Sequence, residues 1–314
     1  MKQLGYRCYA KVNLTLEVIR RRDDGYHDLA SVVHTISLAD ELHLDFASSL
    51  FSHVEGLDIG AETNLVTQAA QLLASTADVS AHAELRLVKR IPAAAGFGGG
   101  SSDAATTLVG LNRLWGTHLR TAELRRIAAK LGSDVPFFVS GGAALMTARG
   151  QDLETLPPLS GQWLILVAPP PHALGAKTAL LYAALEPADF SSGAASERVA
   201  IRLRQREPLS EAHLVNVFAR AARRVFPGLA DAWTAAERIC GRRFFLSGAG
   251  PALFALAFDR DDAQQQQRGL AESGVAAFAA RTVGYARSAL RFHPALASGT
   301  LNRDPRALCL VVQW

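Results

Sequence analysis

The chain has 314 residues, 49% hydrophobic and 20% charged, which suits a soluble globular protein large enough for two domains. No apolar run reaches the roughly 18 residues of a membrane span, and the polar start, Met1 to Ala10, is unlike a signal or transit peptide. A net charge of +4 with pI near 9.1 admits anionic partners such as nucleotides. The Lys and Arg residues are dispersed, so neither nucleic acid nor membrane is expected as a partner. Three scattered cysteines, Cys8, Cys240 and Cys309, imply a reducing, cytoplasmic setting and neither a disulfide framework nor a zinc site.

Arg7 to Ile19 alternates as a strand should, and Lys11 and Asn13 share parity, so both side chains face one side. Taken alone, Lys11 reads as a solvated edge-strand lysine. Asp24-Gly25 is a hairpin-turn signal that places Tyr26 and His27 at the start of the returning strand. Such a pair either flanks a turn or reads a base by stacking and hydrogen bonding. Strands follow at Val32 to Ser37 and Glu41 to Phe46, then a helix at Asn64 to Ala74 capped by Thr63 or Asn64.

A basic, β-prone run, Leu85 to Ile91, leads into Pro92, Ala93, Ala94, Ala95, Gly96, Phe97, Gly98, Gly99, Gly100, Ser101 and Ser102, with a helix predicted from Asp103 to about Trp115. The glycines let the backbone reach positive φ and approach a ligand, and the serines supply hydroxyls at a helix start whose free N–H groups favour phosphate. No Lys follows as in a Walker A loop, and the dinucleotide-binding spacing is not met. The stretch reads as a phosphate cradle of another type, or as a plain turn.

Thr121 is the expected cap of the next helix and Gly132 its C-terminal residue. Asp134 then opens an apolar run; it is either a cap or a carboxylate that the fold must satisfy. Pro157-Pro158 marks a boundary, giving domains at 1–158 and 159–287 and an extension at 288–314. Beyond it the periodicity predicts a strand at Trp163 to Ala168 and helices at Thr178 to Leu185, Glu211 to Val225 and Leu229 to Cys240. A strand–turn–strand is predicted over Phe244 to Ala257, where Gly248 and Gly250 bring backbone close to a ligand or only turn the chain. The final apolar run, Ala307 to Trp314, is expected as an edge strand.

Lys11 and Asn13, D-G-Y-H at 24–27, the glycine loop with Ser101-Ser102-Asp103, L-G-S-D-V-P-F-F at 131–138 and S-G-A-G-P at 247–251 together resemble the GHMP small-molecule kinases over roughly residues 5–286. The resemblance implies an α+β, two-domain GHMP kinase fold. Its N-terminal half would be a ribosomal-protein-like βαβ domain with a left-handed crossover, and its C-terminal half ferredoxin-like. It implies ATP with its phosphates on Pro92 to Ser102 and Mg²⁺ arriving with the nucleotide, Ser102 being the candidate protein ligand. Lys11 and Asp134 would be the catalytic pair. Asn13, Tyr26, His27 and, on the T-A-L-L-Y run, Tyr182 would bind a cytidine diphosphate-linked methylerythritol, with a homodimer as the only further assembly considered. The alternatives are a member acting on homoserine or mevalonate, and a silent nucleotide- or RNA-binding module. Two departures stand out. Val217 and Ala219 replace acids usual in this family, and Pro169 to Lys177 is longer than usual.

Overall fold

The computed structural model describes residues 4–56, 64–159, 161–169 and 177–284, with backbone alone for Lys177, Ala289 and Leu290. The first half is built on β1 (Leu4–Asn13), β2 (Thr15–Arg21), β3 (His27–Asp45) and β4 (Leu50–Glu55). Then follow α1 (Leu65–Ala77), β5 (Ala83–Val88), α2 (Gly99–Leu114), α3 (Thr121–Ala128), α4 (Val135–Phe138), β6 (Ala143–Thr147) and β7 (Asp152–Leu156). The two strands predicted between Val32 and Phe46 are one, the long β3, which pairs with β1, β2, β5 and β6. β4 and β5 lie parallel with α1 between them, the βαβ unit. Asn64 caps α1 as expected, its Oδ1 accepting from Val66 N at 3.0 Å.

The β1–β3 ladder slips between Tyr9 and Lys11, where two extra residues of β3 are accommodated. At the slip, Lys11 N donates instead to the carbonyl of Phe97 at 2.9 Å, which docks the glycine-rich loop on β1. Cys8, Ala10 and Val12 are fully buried on one face, and Lys11 and Asn13 on the other face are buried too. The edge of β1 at Lys11 is therefore covered by this loop, and the reading of Lys11 as a solvated residue fails.

The second half begins with β8 (Trp163–Val167), α5 (Lys177–Ala183), α6 (Ala194–Arg204), β9 (Val215–Asn216), α7 (Ala219–Val225) and α8 (Leu229–Cys240). It continues with β10 (Phe245–Leu246), β11 (Leu253–Leu256), α9 (Arg260–Glu272), β12 (Ala277–Arg281) and β13 (Ala289–Leu290). β10, β11, β8 and β12 form a four-stranded antiparallel sheet in that order. The helix predicted over Glu211 to Val225 is broken. Val215 and Asn216 pair with β2, so only Ala219 onward is α-helical. One apolar cluster joins Val12, Ile36 and Phe97 to Leu164, Leu166 and Phe254, so the two halves share a core. The segment from Pro170 to Ala176 and the strand expected at Ala307 to Trp314 lie outside the described residues.

Candidate active site

Gly98, at φ +72°, is the left-handed residue before α2, and the helix begins at Gly99, four residues earlier than the sequence pattern predicts. A Cβ on Gly99 would sit 3.1–3.2 Å from the Ile91 side chain, so glycine permits this close packing. Ser102 N makes the first bond of the helix, to Gly98 O at 2.9 Å. The N–H groups of Gly99, Gly100 and Ser101 precede it, an arrangement suited to an anion. They open on a cleft of about 440 Å³ whose walls include Pro92 to Gly96, Gly98 to Ser101, Lys11, Lys89, Asp103, Asp134, Thr178 and Ala249. Two predicted cradle residues are not in its wall. Phe97 is fully buried and anchors the loop from beneath, and Ser102 is buried on the inner side of α2.

The S-G-A-G-P loop closes the site from the second half. Ser247 Oγ donates to Gly96 O at 3.2 Å, and Ala252 N donates to Ala95 O at 2.7 Å. Gly248, at φ +58°, passes so near that a Cβ would meet Lys11 Nζ at 2.8 Å and Asn13 Oδ1 at 3.3 Å. The loop is braced by Asn216, whose Nδ2 donates to Leu246 O and Gly248 O at 2.9 Å each and whose Oδ1 accepts from Phe218 N. The nearby Val217 and Ala219 pack on an apolar cluster, which accounts for the absence of acids there.

Lys11 Nζ donates to Asn13 Oδ1 at 2.6 Å, and Asn13 Nδ2 passes a 2.8 Å bond to Ser31 Oγ, which fixes the ammonium. Asp134 Oδ2 lies 3.6 Å from Lys11 Nζ. Asp134 occupies the position before α4, yet its carboxylate makes no cap bond and its side chain is 40% exposed. The capping role is thus unfilled and the carboxylate faces the cleft beside a buried cation. An open acid–cation pair of this kind can take or orient a proton.

The Asp24-Gly25 turn forms as expected, with Arg22 N donating to Tyr26 O at 2.8 Å and Gly25 at φ +82°. His27 then stacks on Tyr182, centroids 4.5 Å apart and planes 21° apart, and on Phe190 at 6.2 Å. Burial, aided by Arg21, holds the imidazole below its ordinary range, so it is neutral at pH 7. Burial and then the charge of Asp134 push the Tyr182 phenol up, which ties the aromatic wall to the acid. Tyr26 stands aside from this stack, with the Arg149 guanidinium 3.5 Å above its ring centroid. Phe190 and Arg149 escaped the sequence reading because their partners are distant in the chain.

Also missed was a buried triad below the cradle. Lys89 Nζ bonds Asp103 Oδ2 at 2.6 Å and also Asp40 Oδ2. Burial would lower the Lys89 ammonium, but Asp103 and Asp40 outweigh it and hold it above its usual range. Burial, opposed by Lys89 and reinforced by Asp40, raises the Asp103 carboxyl to about 7. The one sequence signal was an acid directly after Ser101-Ser102.

Residues 64–142 match the profile of the GHMP kinases N terminal domain, and residues 200–276 that of the GHMP kinases C terminal. A 4-diphosphocytidyl-2-C-methyl-D-erythritol kinase of Dehalococcoides mccartyi is 40% identical over 276 residues, spanning 88% of this chain and 96% of that protein. One of Salinispora tropica is 39% identical over 271 residues, 82% and 85% of the two chains. The crystal structure of a 4-(cytidine 5'-diphospho)-2C-methyl-D-erythritol kinase superposes with a TM-score of 0.77 at 33% identity, covering 89% of this chain and 99% of that one. A homoserine kinase from Cytophaga hutchinsonii superposes with a TM-score of 0.67 at 16% identity, covering 91% and 96%, a likeness of fold alone.

Proposed function

The chain belongs to the GHMP kinase family, and we propose that this ATP-dependent small-molecule kinase phosphorylates 4-diphosphocytidyl-2-C-methyl-D-erythritol, in non-mevalonate isoprenoid biosynthesis. The acceptor is the tertiary 2-hydroxyl, and the products are the 2-phosphate and ADP. The observation that carries the reading is the Lys11–Asp134 pair, 3.6 Å apart and open to the same cleft as the N-terminus of α2. ATP lies with its phosphates against the N–H groups of Gly99 to Ser101. The 2-hydroxyl oxygen forms a bond to the γ-phosphorus as the bond from that phosphorus to the β–γ bridging oxygen breaks. The hydroxyl proton passes to Asp134, and Lys11 offsets charge on the transferring group. A tertiary alcohol is a crowded nucleophile, so alignment and charge stabilisation supply most of the rate.

The aromatic wall supports the choice of acceptor. A cytosine ring needs flat faces and an edge reader, which Tyr182, Phe190 and the neutral His27 provide, and small alcohols such as homoserine have no use for them. Asn13 holds Lys11 in place and would position the acceptor's hydroxyls. Tyr26, covered by the Arg149 guanidinium, would add a further aromatic surface for the base.

Mg²⁺ is part of the same reading. Among the described residues no three His, Cys, Asp or Glu side chains cluster to hold a metal. That fits an ion carried by phosphate and water with one or two protein oxygens. Side-chain oxygens of Asp134, Asp103, Ser101 and Thr178 line the cleft, whereas Ser102 is buried away from it. The ion would supply charge neutralisation along the polyphosphate. The test is ADP release with ATP and Mg²⁺ in the presence of the cytidine substrate, homoserine or mevalonate. Turnover with the cytidine substrate alone is expected. Turnover with either small alcohol would overturn the choice of acceptor, and silence with all three from folded protein would favour a binding module.

A further inference from the structure

The segment from Pro92 to Gly98 lies between β5 and α2 and forms part of neither. Its two ends are tied to one buried point. On the entering side, Asp40 Oδ1 accepts the backbone N–H groups of Arg90 and, at 2.7 Å, Ile91. On the leaving side, Asp103 lies one turn inside α2. Lys89 joins them by bonding both carboxylates, and its Nζ comes within 3.3 Å of where a Cβ on Gly99 would stand. Asp40 is fully buried, and the side chains of Asp103 and Lys89 are 3% and 8% exposed.

We propose that Lys89, bridging Asp40 and Asp103, is a positioning residue of the ATP site: it sets the distance between the strand entering the cradle and the first turn of α2 that faces the phosphates. The inference rests on the reading of this cleft as the ATP site. An ammonium and two carboxyl groups taken out of water add little stability over an apolar trio of the same volume, so what they supply is a fixed geometry. The triad is not an electrostatic lure for the nucleotide, because the Lys89 ammonium is already engaged by Asp40 and Asp103. Its contribution is where the N–H groups of Gly99, Gly100 and Ser101 point. Lys89 and Asp103 line the cleft itself, so a shift in the bridge reaches the ligand directly.

The experiment measures KM for ATP and for the alcohol substrate in wild type, Lys89→Gln and Asp103→Asn, with ADP binding followed by calorimetry. Lys89→Gln is expected to raise KM for ATP about tenfold, since small misplacements in such sites are costly. KM for the alcohol should stay within about twofold, because the aromatic wall of His27, Tyr182 and Phe190 contains none of the three bridged residues. Asp103→Asn keeps its volume and serves if Lys89→Gln does not fold. Positioning predicts that it too raises KM for ATP and weakens ADP, whereas removal of a merely repelling charge would lower both constants. A folded variant whose KM for ATP is unchanged or lower, beside a wild type that saturates with ATP, overturns this inference and leaves the kinase reading standing. A wild type that binds neither ATP nor ADP overturns both.

Discussion

Gly248→Ala separates the placement of Lys11 from the stability of the fold. The new Cβ would stand 2.8 Å from Lys11 Nζ, inside the contact distance of real side chains, and 3.3 Å from Asn13 Oδ1 and Gly96 O. The nearest atom is the free end of a flexible chain, so the ammonium swings away and the backbone shifts by only a few tenths of an ångström. The strain left is that of alanine at φ +58°, about 1–2 kcal/mol. The chemistry takes the larger loss. Lys11 leaves its 2.6 Å bond to Asn13 and its place beside Asp134, and a shift of this size is expected to cost about 10- to 100-fold in kcat. Gly228→Ala is the control, since it has φ +71° and nothing within 4 Å, so it carries similar strain without the clash. Urea midpoints and kcat measured on both variants make the comparison. If Gly248→Ala kept kcat within about twofold of Gly228→Ala, the placement of Lys11 by this loop would be refuted.

Asp134→Asn preserves shape and removes the proton acceptor; kcat should fall by about 10²- to 10⁴-fold with KM for ATP little changed, and wild-type turnover would remove the base assignment. Tyr182→Ala takes away the ring 4.5 Å from His27 and should raise KM for the cytidine substrate about tenfold, to be read from steady-state kinetics, an unchanged KM speaking against the base wall. His34 is fully buried, its Nε2 accepting from Leu159 N at 2.9 Å, and burial lowers its pKa from 6.5 to about 4. Between those values the unfolded chain binds more protons than the folded one. This contribution is therefore complete above pH 6.5 and declines as pH falls toward 4, by about 3 kcal/mol in total. Urea unfolding at pH 7 and pH 4.5 should show a steeper loss for wild type than for His34→Gln, and equal slopes would contradict the account.

Much of the site was legible where the signal is local chemistry. The Asp24-Gly25 turn sets its own hairpin, and Gly96 and Gly98 of the cradle adopt the positive φ that glycine takes cheaply. The start of α2 was misplaced because two glycines lower helix propensity, whereas the packing of Gly99 on Ile91 and the Gly98 turn decide the matter from outside the helix. The helix expected at Glu211 to Val225 gives way because Asn216 finds better partners in β2 and in the Gly248 loop than a helical ladder offers. Lys11 looked solvated because alternation reports one face of a strand and not what covers the other. The Lys89 bridge was invisible for a different reason. Its carboxylates lie 49 and 14 residues away, and no local pattern pairs them.

The most direct test of the central claim is to follow one equivalent of γ-labelled ATP with the cytidine substrate and to locate the label by ³¹P NMR. The account predicts one ADP for each new phosphomonoester, with the phosphate on the tertiary C2 oxygen. Label appearing as free phosphate, or on another hydroxyl of the substrate, would contradict the alignment of Asp134 with the 2-hydroxyl.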